Sequence, residues 1–127
     1  MAFEHRATPP WTRAAASTGM KPRRFCTIDS NGRAANPANG AAVVGVRLTG
    51  STGSTVDFQA VSILSYGIAR VEAKGGVLTR GSQCKATSVG LASSLSAGDY
   101  AVGIVAEGTS GTTGRVLSVL LLPIGTT

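Results

Sequence analysis

Turn signals recur every eight to twelve residues along this chain, and the short apolar runs between them leave room for strands but not for helices. Phe25-Cys26-Thr27-Ile28-Asp29 reads as a strand stopped by Ser30-Asn31-Gly32, and Asn36-Pro37-Ala38-Asn39-Gly40 is a second turn cluster. Residues 41–49 (AAVVGVRLT) are β-branched and apolar, hence a strand. Residues 56–64 (VDFQAVSIL) set Val56, Phe58 and Ala60 against Asp57 and Gln59, then slip by one at Val61, where a bulge is expected. Residues 66–73 alternate again, with Ile68 and Arg70 opposed in face to Ala69 and Val71. Lys74-Gly75-Gly76 turns the chain. Segments 77–82 and 83–88 read as short strands or the link between them, and 93–98 as loop. Residues 100–107 (YAVGIVAE) and 115–122 (RVLSVLLL) are the last strands, separated by TSGTTG at 109–114. No segment carries an amphipathic helical repeat. The fold class is all-β, a small β barrel or sandwich.

Composition divides the chain near residue 34. Before it, Arg6, Arg13, Lys21, Arg23, Arg24 and Arg33 outweigh Glu4 and Asp29, and the only Trp and only His lie there too. Residues 1–24 keep neither strand nor helix period, and Pro9-Pro10 forces extended geometry on them. They read as an extended, irregular basic arm preceding a β body over 25–127. Stretched out, such an arm reaches up to about 80 Å at 3.3–3.6 Å per residue. The 127 residues fit one domain, and with few aromatics the core must be packed by Val, Ile, Leu and Ala. Such a thin body gains from burying surface in an oligomer.

One internal echo stands out. Residues 40–46 (GAAVVGV) and 98–104 (GDYAVGI) share the form G-x-x-[AV]-V-G-[VI]. Two equivalent strands in a pseudo-symmetric barrel would produce it, and so would chance in a low-complexity β chain. A glycine inside a strand marks a bulge, a bend or a close backbone approach.

Catalytic chemistry is thinly supplied. His5 stands alone in the arm. Asp57, Glu72, Asp99 and Glu107 fall on separate strands or loops without paired spacing, and read as solubilising charges. Cys84 adjoins Lys85 but no body His can serve as its base. No GxSxG elbow and no phosphate-loop lysine occur. Cys26 and Cys84 lack metal-ligand spacing; two reduced, buried thiols are expected, with a disulfide left open. The longest apolar run is far short of a membrane span. The reading is no enzyme, no cofactor, no metal and no membrane partner. The candidate contact residues are Phe3, Arg6, Trp11, Arg13, Lys21, Arg23 and Arg24: cations for an acidic surface, with two aromatics as anchors.

The body resembles the capsid decoration (cement) proteins of tailed bacteriophages. The residues that carry the likeness are GAAVVGV at 40–46, YGIARVEAKGGVLTRGS at 66–82, GDYAVGIVAEG at 98–108 and the terminal strand at 115–122. The resemblance implies a small barrel or sandwich that forms homotrimers on the exterior of the expanded icosahedral head, having met it in the host cytoplasm. Its partner there would be the major capsid protein, with the arm lacing over or under adjacent subunits. Two other readings stand beside it. One is a nucleic-acid-binding small barrel, disfavoured by the scarcity of aromatics for base stacking. The other is a trimeric tail or adhesion module.

Overall fold

The computed structural model describes residues 2, 4–6, 9–17, 20–51, 60–75, 78–108 and 114–126, and every regular element among them is a strand. In chain order these are β1 (His5–Arg6), β2 (Trp11–Ala14), β3 (Arg24–Ile28), β4 (Ala34–Ala35), β5 (Gly45–Arg47) and β6 (Ala60–Leu64). There follow β7 (Gly67–Glu72), β8 (Gln83–Ala86), β9 (Ala92–Ser94), β10 (Tyr100–Glu107) and β11 (Val116–Thr126). They form two antiparallel sheets, β2-β6-β5-β3-β4 and β7-β11-β10-β8-β9, with β1 added outside β7. The all-β expectation is met, in a form the sequence only hinted at: the order of the first sheet is the order of the second.

The two sheets are copies of one design. Adding 58 to a residue number carries the buried set Ala15, Met20, Cys26 and Ala34 onto the buried set Ala73, Leu78, Cys84 and Ala92. Register follows. Cys26 pairs with Gly45 as Cys84 pairs with Gly103, and Ile28 pairs with Ala34 as Ala86 pairs with Ala92. Each sheet then closes on itself through one parallel bridge, Ala15 to Ala34 and Ala73 to Ala92. Ala16 N–H donates to the Ala34 carbonyl at 2.8 Å, and Lys74 N–H to the Ala92 carbonyl at 2.9 Å. The connection before the last strand is two residues shorter in the second repeat, so Val61 and Ile63 match Leu117 and Val119. One core lies wholly within the first repeat, and the other combines the second repeat with Phe25, Val46 and Leu64 of the first.

The turns repeat as well. Asp29 Oδ1 accepts from Arg33 N–H at 2.9 Å, and Thr87 Oγ1 from Leu91 N–H at 3.1 Å. Both turns end on a left-handed glycine, Gly32 (φ 75) and Gly90 (φ 83). An Asx or Ser/Thr turn followed by glycine supplies that geometry locally. The echo is therefore structural. At its second glycine a Cβ would strike the neighbouring strand: the Leu64 carbonyl and Ile63 Cγ2 at Gly45, the Leu120 carbonyl and Val119 Cγ1 at Gly103.

Several local expectations change. The described residues of the segment read as an arm are built into the body. Trp11–Ala14 pairs with β6, His5–Arg6 pairs with β7, and Ala15 and Met20 are buried. Its four-residue strand is too short to display a period, and the first barrel is incomplete without it. Within 41–49 only Gly45–Arg47 joins a ladder, because the backbone at Gly40 serves the other repeat. Gly40 N–H donates to Ala86 O at 2.9 Å and Gly40 O accepts from Tyr100 N–H at 2.9 Å. Over the described part of 77–82 only a single bridge at Leu78 forms before a turn, whereas Ser93 and Ser94, read as loop, pair with β8. In β6, Ala60 is exposed while Val61 and Ile63 are buried; the expected alternation at 56–59 and the loop at 109–113 lie outside the described residues.

Candidate interaction surface

Six of the seven candidate contact residues lie among the described residues, on β1, on β2 and on the stretch from Lys21 to Arg24. Phe3 lies outside the described residues. Arg6 is exposed on β1 and pairs with Glu4 at 2.9 Å. Trp11 is half-buried; its indole N–H donates to Ser65 Oγ at 2.7 Å, and the Arg13 guanidinium lies 5.5 Å from its ring centroid. That arrangement is a cation–π contact, and it holds Arg13 at the surface of β2. Lys21 and Arg23 are exposed on the link from β2 to β3.

Arg24 departs from the expectation of a surface contact. Its guanidinium bonds Glu72 at 3.0 Å and the Val89 carbonyl at 3.3 Å, with only 14% of the side chain exposed. Glu72 and Val89 belong to the second repeat, so Arg24 clamps the two barrels together. Arg23 contributes through its backbone: its carbonyl accepts from Glu72 N–H at 2.9 Å. It does so at φ 60, and it is the only non-glycine residue with positive φ among those described. The matching position in the second repeat is Gly81 (φ 87).

A small basic groove of about 210 Å³ lies here, lined by Lys21, Arg24 and Arg47 among others. Arg47 is 1% exposed. It is held by Nε to the Lys21 carbonyl at 2.9 Å and by a terminal nitrogen to Asn36 Oδ1 at 3.0 Å. Burial lowers its pKa, which Cys26 partly offsets. A charge kept inside must be bonded to be tolerated, and these two acceptors do so.

A larger, apolar groove of about 320 Å³ runs between the repeats, where Trp11, Val43, Tyr66, Tyr100, Leu122 and Pro123 meet. It opens beside β11, whose outer face is apolar. Leu120, Leu122 and Ile124 are 37%, 39% and 40% exposed, and Tyr66 beside them 58%. β11 can present this face because it runs on past the length of β6. Between Ala101 and Gly103 its register shifts against β10, which lets Leu122, Pro123 and Ile124 stand out of the ladder. The sequence carried a sign of this. RVLSVLLLPIG is apolar on both faces, where a strand half-covered by core should alternate.

The other titratable groups serve structure. Lys85 Nζ and Asp99 Oδ2 pair at 3.1 Å, and Asp99 also accepts from Ser96 N–H at 2.8 Å. The Ser96 bond first, then Lys85, holds the Asp99 carboxyl below its ordinary value. Arg80 does the same for Glu107 across 2.8 Å. Both cysteines are free and buried. Burial pushes the Cys84 thiol to about 12 and the Cys26 thiol to about 11, the latter opposed by Arg47. No group of three or more His, Cys, Asp or Glu side chains converges among the described residues.

No protein-family description and no curated protein sequence matches this chain. Among solved structures it is similar to the head fiber gp8.5 N base of bacteriophage phi29, with a TM-score of 0.69. That likeness covers 93% of this chain and 96% of the other at 13% identity. At that identity the fold is what is shared.

Proposed function

We propose that this protein is a virion structural protein that binds the outer surface of a bacteriophage head, as a capsid decoration or cement protein, and acts there as a homotrimer. The observation that carries the reading is the fold-level likeness, over nearly the whole of both chains, to a protein described as the base of a phage head fiber. Sequence resemblance to the decoration proteins points the same way. The partner is the major capsid protein, and the working location is the capsid exterior after assembly in the host cytoplasm. Enzymatic activity forms no part of the proposal.

The exposed cations Arg6, Arg13, Lys21 and Arg23 supply long-range attraction to an acidic shell. Trp11 and the apolar groove beside it supply the short-range grip. Multivalency of a trimer multiplies modest single contacts. Arg24 is excluded from the contact set, because its side chain is largely buried against Glu72 and Val89.

The test is co-sedimentation with expanded, DNA-free heads. Removing residues 1–24 would delete β2 and unfold the first barrel, so the variant to use is Arg6→Glu/Arg13→Glu/Lys21→Glu. Wild-type protein should bind saturably, and the charge-reversed protein should bind at least about tenfold more weakly. Absence of wild-type binding, with naked DNA retained in a steeply salt-dependent way instead, would transfer the reading to nucleic acid.

A further inference from the structure

The two repeats meet head to tail rather than face to like face. From the first repeat the contact is made by a cross-strand row, Phe25–Val46–Leu64, set side by side through the β3–β5 and β5–β6 pairings. All three are 0% exposed and belong to the core cluster of the second repeat. From the second repeat the contact uses a different surface: Phe25 N–H donates to Gly90 O at 2.8 Å, and a Cβ on Gly90 would meet the Arg24 and Phe25 backbone region. Each repeat thus owns two faces, and the chain uses one of each. Two remain open.

The open row on the second repeat is Gln83–Ile104–Leu120, joined by the same pairings. It continues across β11 to Ile68. Gln83 is exposed, Ile104 half-buried and Leu120 37% exposed. The open counterface on the first repeat lies around Gly32, the equivalent of Gly90. A Cβ built on Gly32 meets nothing within 4 Å, although its left-handed turn is the same. Ala42, the equivalent of Tyr100, is exposed as well.

We infer that the Gln83–Ile104–Leu120 face docks the Gly32–Ala42 face of a second copy of this chain, repeating between copies the contact that already joins the repeats within one. The expected backbone bond runs from Gln83 N–H to the Gly32 carbonyl of the next copy, as Phe25 N–H bonds Gly90. A heterologous contact of this kind generates a ring when its rotation closes. Gln83 stands where Phe25 does, so this contact is more polar than the internal one. Such polarity suits partners that fold before they meet. The inference concerns how copies join and does not depend on what the assembly binds.

The test reads mass by sedimentation velocity on the full chain. Wild type should be oligomeric at micromolar concentration. Leu120→Asp and Ala42→Glu should each raise the dissociation constant about 100-fold and give folded monomers, with circular dichroism and melting temperature kept. Each variant spoils one face and keeps the other. Mixing them should therefore restore a one-to-one dimer, which a contact between like faces cannot do. Should Leu120→Asp fail to fold, Gln83→Arg replaces it on an exposed side chain of the same row. A monomeric wild type, or a mixture that stays monomeric, overturns the inference. Because the readout is mass alone, failure of head binding leaves it standing and success of head binding does not rescue it.

Discussion

The first and second repeats share strand order, register and turn geometry, yet they spend the same positions differently. At one position of β3 and β8 the first repeat has Phe25, sealed against its neighbour, and the second has Gln83, open to solvent. At another, Leu64 is wholly buried and Leu120 is 37% exposed. At a third, Arg47 stands in the first repeat and Val105 in the second, both buried. Backbone design was kept while side chains were reassigned. Identity of fold therefore fixes the scaffold, and burial partner fixes the residue.

The largest effects are expected at the paired glycines. Gly45→Val and Gly103→Val should each cost about 4 kcal/mol or more, since a backbone carbonyl and a packed side chain both occupy the space. Equal, large losses in urea unfolding would establish that the close approach is common to both barrels; tolerance in either one would show the barrels differ there. Next comes the row itself. Phe25→Ala should cost about 3–5 kcal/mol, and Gln83→Ala at the equivalent site within about 0.5 kcal/mol, measured on dilute monomer. Arg24→Ala removes the clamp to a largely buried Glu72 and should cost about 1–3 kcal/mol. The equivalent Ser82→Ala should be near neutral.

Two smaller effects have defined signs. Arg23 holds a left-handed backbone that Gly81 holds without strain, so Arg23→Gly should stabilise the protein by up to about 1 kcal/mol. The cysteines give a pH dependence. Their folded pKa values, about 11 and about 12, lie above the ordinary 9.0, so the protonated form is favoured by folding. That contribution is whole below pH 9 and is lost as pH rises through the folded values. A Cys26→Ala/Cys84→Ala protein, compared with wild type, should show a flatter stability profile between pH 9 and 11. An unchanged slope there would mean that other groups dominate the alkaline limb.

The strands that proved most legible were those with a full alternation between good stops. Residues 100–107 were bounded to the residue, and the two faces of 66–73 were separated correctly, with Ala69 and Val71 buried on one and Arg70 exposed on the other. The shorter ladders of the first repeat were harder. Gly45–Arg47 is three residues, too few for a period, and Trp11–Ala14 hides a strand behind Pro9-Pro10. The duplication was half visible, in GxxxVG, because few positions kept their identity between the repeats. Among those that did are the left-handed pair Gly32/Gly90, the close-approach pair Gly45/Gly103 and the buried pairs Ala15/Ala73, Cys26/Cys84 and Ala34/Ala92. The interaction surface was the least legible part. Basic residues near the start of the chain read alike, whether they face solvent as Lys21 does or lock two barrels as Arg24 does; only the fold separates them.

The single bridges that close each sheet, Ala15 to Ala34 and Ala73 to Ala92, also bear on solubility. An open sheet rich in β-branched residues offers unpaired backbone along its rim, a template on which other chains can add. Here the rims are brought together, and the strands beside them are only two or three residues long at β1, β4 and β9. The backbone itself thereby guards against fibrous aggregation, leaving exposed apolar side chains such as Leu122 and Ile124 free of that risk.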